Sequence, residues 1–248
     1  MFDYHAPEHL LKDRIILVTG AGDGIGKAAA LTFARYGATV LLLGRTVAKL
    51  EAVYDQIETS GWPKPAIIPL NLEGAAEKDY DQVATAIENA FGRVDGILHN
   101  AAALGSLTPI EQYEVPVWNK LMQVNVTAPF MLTRALIPLL RQSDSASVVF
   151  TSSSVGRKGR AYWGGYAVSK FAVEGLMQVL ADELKDDEHN IRVNSINPGA
   201  TRTSMRAMAY PAENPVHNPT PEEIMPLYLY LMGSDSANIT GQALDAQG

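Results

Sequence analysis

Residues 14–26 read RIILVTGAGDGIG, an apolar strand pattern that passes directly into a loop with four glycines. The loop lies before a helical pattern of apolar residues, which is where parallel α/β sheets bind dinucleotides. Glycine lets the backbone approach a pyrophosphate closely, and a helix N-terminus offers it unpaired N–H groups. The spacing is G-x-x-x-G-x-G rather than the standard G-x-G-x-x-G, so an ordinary strand-to-helix turn is the alternative. The candidate phosphate-binding residues are Gly20, Gly22, Asp23, Gly24, Ile25 and Gly26.

The same alternation of strand and helix patterns continues along the chain. The predicted strands are Arg14–Thr19, Ala38–Gly44, Ala66–Leu72, Gly96–Ala102, Ser147–Ser153, Ile191–Asn197 and a weaker Gln242–Asp245. The predicted helices are about Ile25–Tyr36, Val47–Ser60, Lys78–Phe91, Val117–Arg141, Tyr166–Lys185 and Pro221–Met232. This pattern predicts a single α/β domain over residues 1–248, a doubly wound (Rossmann) parallel sheet of about seven strands with helices on both faces. The irregular segment near 202–220 is predicted to be a lid or substrate loop.

Composition excludes several classes of function. The 248 residues are 47% hydrophobic and 19% charged, which is typical of a globular protein. Twenty Lys and Arg residues against 27 Asp and Glu give a formal charge of −7, which disfavours nucleic acid and anionic membranes as partners. The chain has no cysteine, so it forms no disulfide, thiolate nucleophile or cysteine metal site.

The beginning of the sequence carries a metal-like pattern and no export signal. His5-Ala6-Pro7-Glu8-His9 matches a zinc H-x-x-E-H pattern, but Pro7 interrupts the helix that would place both rings on one face. We therefore predict no metal site. The first residues lack a basic region followed by an apolar one, and no apolar run approaches the roughly 20 residues of a membrane span. We expect a cytoplasmic protein with no membrane partner.

The end of the second predicted strand indicates which dinucleotide is bound. A carboxylate there would accept hydrogen bonds from the adenosine ribose of NAD, but the residues are Leu43-Gly44-Arg45-Thr46. Gly44 leaves room for a 2′-phosphate, and the Arg45 guanidinium can bind that phosphate with two hydrogen bonds. We therefore predict NADP(H) in preference to NAD(H). The charge of Asp23 would oppose the phosphate if it pointed inward, and a solvated surface arginine is the alternative.

A hydroxyl, a phenol and an ammonium group fall where carbonyl chemistry requires them. Tyr166 and Lys170 are four residues apart, so both project from one face of a predicted helix. The Lys170 charge is expected to lower the pKa of the Tyr166 phenol, which can then act as general acid and base. Ser153 ends a predicted strand, where it can hold a substrate carbonyl oxygen. Taken alone, the Tyr-Lys pair could equally be a boundary tyrosine beside a solvated lysine.

In their order along the chain these elements resemble the motifs of the classical short-chain dehydrogenases/reductases. The family's T-G-x-x-x-G-x-G matches Thr19–Gly26, its S-x-x-G matches Ser153–Gly156, and its Y-x-x-x-K matches Tyr166–Lys170. Its P-G-x-x-x-T element matches Pro198–Thr203, and its relay asparagine matches Asn125. The resemblance covers nearly the whole chain. Within the family it is greatest to the uncharacterised YciK-type oxidoreductases of Gram-negative bacteria.

The resemblance also implies roles for individual residues. Asn125 would support a water relay to Lys170, Lys170 would contact the nicotinamide ribose, and Thr203 would hold the nicotinamide carboxamide. Further cofactor contacts are implied for Asn71, Leu72, Asn100, Ala101, Pro198, Gly199 and Thr201. The chain departs from the family at three places: His99-Asn100-Ala101-Ala102 replaces N-N-A-G, Asn71 replaces an acidic residue, and Asp245-Ala246-Gln247-Gly248 replaces a glycine-rich ending.

We therefore predict an NADP(H)-dependent oxidoreductase that transfers a hydride between nicotinamide and a carbonyl or secondary alcohol. The substrate is expected to be a small molecule or an acyl thioester. A 3-oxoacyl thioester is one candidate, because a basic loop with Arg157, Lys158 and Arg160 suits an acidic carrier, although a solvated loop is the alternative. Two other functions stay open, a dinucleotide-binding regulator without turnover and an NAD-dependent alcohol dehydrogenase. Because the family's long helices pair across two-fold axes, we expect a homo-oligomer, either a dimer or a tetramer.

Overall fold

The computed structural model describes residues 1–185 and 189–248, and within these residues seven strands alternate with eight α-helices. The strands are β1 Ile15–Thr19, β2 Thr39–Gly44, β3 Ala66–Pro69, β4 Gly96–His99, β5 Ala146–Thr151, β6 Ile191–Asn197 and β7 Ala243–Asp245. The helices are α1 Gly24–Arg35, α2 Val47–Thr59, α3 Glu77–Phe91, α4 Val115–Met122, α5 Ala128–Leu140, α6 Gly164–Glu183, α7 Ser204–Ala209 and α8 Met225–Met232. The π-helical segment Gln123–Thr127 joins α4 to α5.

The strands form one parallel sheet in the order β3-β2-β1-β4-β5-β6-β7. The direction in which successive strands are added reverses at β1. Its residue Val18 lies opposite Leu42 of β2 on one side and Leu98 of β4 on the other. Helices cover both faces, which is what strands that are apolar along their whole length require. The predicted fold class, a doubly wound parallel sheet, is confirmed. At the turning point the loops after β1 and β4 diverge and leave a crevice beyond the strand ends.

Alternate residues of a strand pack against opposite helical layers. In β1, Ile16 and Val18 belong to the apolar cluster that includes Phe33 of α1, whereas Ile15 and Leu17 belong to the cluster on the other face. Ile16, Leu17 and Val18 are fully buried. Full burial of one such side chain contributes roughly 1.5–3 kcal/mol. The two clusters therefore fix the end of β1, from which the glycine loop starts.

Several strands end earlier than the sequence predicts. β4 stops at His99, and β3 and β5 also stop two or three residues before their predicted ends. After β4, the N–H groups of Asn100 and Ala101 both donate to the Thr19 hydroxyl at 3.0 Å, instead of continuing the ladder. The side chains and backbone after these strands are thereby turned toward the crevice.

The helix predicted as Val117–Arg141 is two helices, α4 and α5, separated by a π-helical segment. A π turn contains more residues than an α turn and commonly occurs at functional sites. Here it directs Asn125 inward, with only 2% of the residue exposed. The apolar spacing on either side is continuous, which is why the sequence pattern does not reveal the interruption. The short helix α7 is a second addition, since it lies inside the segment predicted as a loop.

The first residues of the sequence pack along α8 and reach the end of β7. The rings of Phe2 and Tyr4 lie 5.4 and 5.2 Å from the ring of Tyr230. The Phe2 N–H donates to the Ala246 carbonyl at 2.9 Å, and the Tyr4 hydroxyl donates to Asp235 at 2.9 Å. Residues 2 and 246 are therefore direct neighbours in space.

Metal clusters and membrane-spanning helices are both absent from residues 1–185 and 189–248. A metal centre of the usual kind needs three or more His, Cys, Asp or Glu side chains around one point, and these residues contain no such group. Their helices are too short or too polar to cross a bilayer.

Candidate active site

A cavity of about 550 Å³ occupies the crevice at the carboxyl ends of the strands. Its wall brings together most of the predicted site residues, which are Gly20, Gly22, Asp23, Gly24, Ile25, Arg45, Asn71, Leu72, Asn100, Ala101, Ser153, Tyr166, Lys170, Pro198, Gly199, Thr201 and Thr203. Gly26 and Asn125 do not line the cavity; both are buried behind the residues that do. Residues that are 183 positions apart in the sequence, Gly20 and Thr203, thus share one site.

The glycine loop has a backbone that other residues could not adopt without strain. Gly20 and Gly24 have φ angles of 68° and 49°, in the left-handed region. Gly26 has no room for a side chain, because a Cβ there would lie 2.2 Å from the Gly20 carbonyl oxygen and 2.7 Å from the Asn100 amide. This close packing holds the loop against the strand and opens the first turn of α1 toward the cavity. Such a bare loop at a helix N-terminus fits a pyrophosphate.

Asp23 in this loop has a structural role that the sequence did not predict. Its carboxylate caps α1 by accepting from the Gly24 N–H at 2.8 Å, and it pairs with the Lys49 ammonium at 2.5 Å. The hydrogen bond from Lys49 holds the pKa of Asp23 below its usual value. The expected repulsion between Asp23 and a 2′-phosphate is therefore offset by Lys49.

Lys49 is also a residue of the cavity wall that sequence reasoning missed. It lines the cavity beside Arg45, which is exposed at the end of β2. The available signal was its spacing from Arg45. Lys49 is four residues further along the chain and lies in the first turn of α2. Two cations thus flank the position where the sequence predicts the 2′-phosphate.

Ser153, Tyr166 and Lys170 meet at the other end of the cavity. Tyr166 and Lys170 are 8% and 3% exposed, and the Lys170 ammonium lies 5.5 Å from the centre of the Tyr166 ring. Lys170 donates to the Thr151 carbonyl at 2.7 Å, which ties it to the end of β5. A Cβ on Gly156 would lie 2.7 Å from the Lys170 Cβ, so only glycine lets the Ser153 loop pack this closely on α6.

The pKa values of this set correct one sequence-based expectation. Burial raises the pKa of Tyr166 to about 12, and the interacting Ser153 hydroxyl is the group that acts to lower it. Burial also lowers the pKa of Lys170 to about 8, against the opposing charge of Glu174 one turn further along α6. The predicted lowering of the Tyr166 pKa is therefore wrong for this structure, because the loss of hydration of the phenolate dominates the shift.

Asn125 organises the wall of the site and does not face the cavity. Its side-chain oxygen accepts from the Ala103 N–H at 2.7 Å, and its amide donates to the Ala103 carbonyl at 2.9 Å. The same amide donates to the Ser169 hydroxyl at 3.0 Å, on the helix that carries Tyr166 and Lys170. Asn125 thus joins the loop after β4 to α6.

The loop after β6 borders the site between its two ends. Gly199 has a φ of 72°, and Thr203 caps α7 by accepting from the Arg206 N–H at 3.1 Å. A Cβ on Gly24 would meet the Thr203 methyl at 3.4 Å, so this loop also touches the glycine loop. The two loops together enclose the centre of the cavity.

The wall beside Tyr166 is apolar and comes partly from α7. Leu104, Trp163 and Met205 pack on the small apolar cluster that contains Tyr166, with the Trp163 and Tyr166 ring centres 5.7 Å apart. Met208 of α7 also lines the cavity. The sequence leaves Met205 and Met208 open between a substrate wall and ordinary packing, and the motifs do not assign Leu104 or Trp163. Their apolar character alone does not distinguish a substrate wall from ordinary core packing, so they could not be assigned from sequence.

Charged groups near this wall are held by neighbours within the chain. Arg206 lines the cavity but forms two hydrogen bonds with Glu213, at 2.6 and 2.5 Å, and lies 3.7 Å from the Tyr210 ring centre. Arg206 holds the pKa of Glu213 well below its usual range, at about 2. In the predicted basic loop, Arg157 pairs with Asp245, and Arg160 donates to the Tyr210 hydroxyl at 2.9 Å. Arg157 is thus paired with a carboxylate and Arg160 with a neutral hydroxyl, and a carrier-binding role for that loop stays a prediction.

Comparison with known sequences gives the same family that the motifs resemble. The sequence model described as short chain dehydrogenase matches residues 14–214. YciK of Escherichia coli K12, an uncharacterised oxidoreductase, is 55% identical over 244 residues, which are 98% of this chain and 96% of YciK.

Solved structures show the same fold at high identity. A Pseudomonas syringae protein assigned to the short chain dehydrogenases has a TM-score of 0.98 and 62% identity, with 100% of both chains covered. A Shigella flexneri 2a protein of the same assignment, complexed with NADP, has a TM-score of 0.95 and 55% identity over 98% of this chain and 100% of its own. An Escherichia coli CFT073 protein, complexed with NADPH, has a TM-score of 0.94 and 55% identity with the same coverage.

Proposed function

This chain belongs to the short-chain dehydrogenase family, and from that premise we propose that it binds NADP(H) and reduces a carbonyl group or oxidises the matching secondary alcohol. The observation that carries the proposal is that Ser153, Tyr166 and Lys170 line the same cavity as the glycine loop. Binding a dinucleotide requires neither a buried phenol nor a buried ammonium group. A regulator without turnover is therefore the weaker alternative.

The residues present fit NADP(H) along the length of the cavity. The loop at Gly20–Gly26 and the start of α1 would hold the pyrophosphate, with Arg45 and Lys49 on the adenosine 2′-phosphate. The loop at Pro198–Thr203 would hold the nicotinamide end. The NADP and NADPH complexes of two relatives support this choice over NAD(H).

Bound NADPH would supply the hydride that adds to the carbonyl carbon. Ser153 would hold the carbonyl oxygen by a hydrogen bond, and the Tyr166 hydroxyl would donate its proton to that oxygen as the C=O bond becomes an alcohol. The raised pKa of Tyr166 keeps this proton in place until the oxygen becomes basic. The Lys170 charge would then stabilise the phenolate that is left. Oxidation of the alcohol would use the same groups in reverse.

We further propose that the carbonyl substrate is uncharged and carries an apolar group beside the carbonyl. Leu104, Trp163, Met205 and Met208 surround the space next to Tyr166, and methionine side chains adapt readily to apolar ligands. Arg206, a cation that lines the cavity beside this wall, is occupied by Glu213. A carboxylate on the substrate would have to displace Glu213, so keto acids should be poorer substrates.

The decisive test is NADPH oxidation with matched pairs of ketones. Each pair would consist of an aryl or alkyl ketone and the same ketone bearing a carboxylate, with a 3-oxoacyl thioester as a third class. We expect turnover of neutral ketones with NADPH, and slower turnover of the carboxylates. Faster reduction of the acids would contradict the substrate class alone. Absence of turnover across the panel, with NADPH still bound, would favour the regulator.

A further inference from the structure

The loop at Pro198–Thr201 is held by the side-chain amide of Gln247, which reaches it from beyond β7. The Gln247 nitrogen donates to the Pro198 carbonyl at 2.7 Å and to the Ala200 carbonyl at 3.0 Å, and lies 3.4 Å from the Thr201 hydroxyl. Gly199 provides the space for this contact, since a Cβ there would lie 2.8 Å from the Gln247 amide. One glutamine therefore satisfies two backbone carbonyls of a loop that lines the cavity.

Gln247 is itself held in place by the residues just before it. The Ala246 N–H donates to the Asn197 carbonyl at 3.0 Å, and the Ala246 carbonyl accepts from Phe2. Asp245 accepts from Asn197 at 2.7 Å and pairs with Arg157 through two contacts of 3.0 Å. The amide of Gln247 is thus presented from a fixed backbone and not from a free end.

The same short segment also reaches the loop that carries the catalytic serine. Arg157 directly follows the turn Ser154–Gly156, and besides Asp245 it donates to the Leu244 carbonyl at 3.0 Å and to Glu174 at 3.3 Å. Residues 244–247 therefore contact both loops, one through Arg157 and the other through Gln247. Residues 244–247 thereby connect the Ser153 loop to the loop at Pro198–Thr201.

We propose that Gln247 is a positioning residue that fixes the loop at Pro198–Thr203 in the conformation that receives the nicotinamide end of the cofactor. The proposal rests on the function proposed above. Gln247 does not line the cavity and touches neither cofactor nor substrate, so it acts through the backbone that it holds. Its loss leaves the Ala200 carbonyl without this donor and the Pro198 carbonyl with the Thr201 hydroxyl at 3.2 Å, and it frees a loop with a left-handed glycine at its centre. Arg45, at the other end of the cavity, is expected to keep its position.

The test compares two ligands that differ at the nicotinamide end. NADPH would span the whole cavity, whereas adenosine 2′,5′-bisphosphate carries only the adenosine with its 2′- and 5′-phosphates and has no nicotinamide. Gln247→Ala removes the amide, and Gln247→Glu keeps its size but places an oxygen against two carbonyl oxygens. For both variants we expect affinity for NADPH to fall about tenfold, with a lower kcat, since two hydrogen bonds are lost. Affinity for adenosine 2′,5′-bisphosphate should stay within about twofold of the parent value.

Gln242→Ala is the matched control, because this exposed glutamine precedes β7 and its side chain makes one long hydrogen bond, to the Thr240 carbonyl at 3.4 Å. It should leave both affinities and kcat unchanged. Equal losses for the two ligands in the Gln247 variants would show a general loosening of the fold and overturn the inference, as would NADPH binding at the parent level. A parent protein that binds adenosine 2′,5′-bisphosphate but not NADPH would instead overturn the proposed function, and the inference with it.

Discussion

Tyr166 is the residue on which turnover is expected to depend most directly. Its ring packs against Trp163 in a small apolar cluster, and only the hydroxyl is needed for proton transfer. Tyr166→Phe should keep the packing and the affinity for NADPH, while kcat falls by about a hundredfold or more. Steady-state rates and cofactor titration by fluorescence would measure the two effects separately.

Tyr210 provides a control for that substitution. It lies near the same wall, and its hydroxyl accepts from Arg160 at 2.9 Å. Tyr210→Phe removes a hydroxyl with no proposed chemical role and should change kcat by less than about threefold. Similar activities of the two variants would remove Tyr166 from the role of general acid.

The pH dependence of reduction should follow Lys170 rather than Tyr166. Tyr166, with a pKa of about 12, is protonated at all ordinary pH values, whereas Lys170 is charged only below its pKa of about 8. The rate of reduction should therefore fall as the pH rises through about 8, because the phenolate loses its cation. Since the Glu174 charge raises the pKa of Lys170, Glu174→Gln should move the fall to lower pH.

Profiles of kcat/KM against pH for the parent, Glu174→Gln and Asp182→Asn would check this expectation. Asp182 lies exposed on the same helix and its substitution should leave the profile unchanged. Glu174 is buried and accepts from Ser195 at 2.6 Å, so glutamine, which keeps its shape, is preferable to alanine. A profile that does not move in Glu174→Gln would exclude Lys170 as the titrating group.

Cofactor preference is expected to depend on Arg45 and, to a lesser extent, on Lys49. Arg45→Ala should weaken NADPH by about ten- to a hundredfold and leave NADH unchanged, since only NADPH carries the 2′-phosphate. Lys49→Ala should weaken NADPH as well, because it removes a cation and leaves the charge of Asp23 unpaired. Dissociation constants for both cofactors, with exposed Lys64→Ala as the control, would measure this; a loss shared equally by NADH would contradict it.

At the level of elements, the π-helical segment between α4 and α5 is expected to couple stability and activity. Asn125→Ala leaves the partly buried Ala103 N–H and carbonyl without this partner. We expect a loss of roughly 1–3 kcal/mol in the free energy of unfolding, together with a lower kcat. Urea denaturation would measure the first effect, with exposed Asn119→Ala on α4 as the control. A variant as stable as the parent would show that the segment does not depend on Asn125.

The strands and their arrangement in a doubly wound parallel sheet followed from sequence because the relevant signals are local and repeated. Each strand is a short apolar run followed by a helix, and right-handed crossovers leave few arrangements. The Ser-Tyr-Lys set could be located because its spacing falls on one helix and one strand end.

The π-helical segment, the Lys49–Asp23 pair and the Gln247 contacts could not be predicted in this way. Each depends on residues brought together by tertiary packing, and Gln247 and Pro198 are joined only by the pairing of β6 with β7. The predicted direction of the Tyr166 pKa shift was wrong for the same reason. Spacing reveals the neighbouring cation, but it does not reveal how much hydration the fold removes.

At the level of the whole molecule, one exposed apolar face is expected to join two copies of the chain. Val168, Phe171 and Val179 follow one face of α6 and are 42%, 45% and 54% exposed, and Phe130 of α5 is 43% exposed. We propose that this face forms a homodimer. Phe171→Glu would place a charge in the contact and should convert the protein to monomers, whereas Val216→Glu, at an exposed valine near α7, should not. Light scattering would distinguish these outcomes, and a monomeric parent would contradict the proposal.

The position of β1 in the middle of the sheet has a consequence for biosynthesis. β1 emerges from the ribosome well before its second neighbour, β4, which follows after more than seventy further residues. The loop at Pro198–Thr201 likewise lacks a hydrogen-bond donor until Gln247 is made. Contacts so distant in sequence form slowly, because long segments must be closed before any of them is made. A nascent chain that has not reached Gln247 would therefore carry the glycine loop and Tyr166 but lack this support for the nicotinamide end. We expect full affinity for the cofactor to appear only after Gln247 has been made.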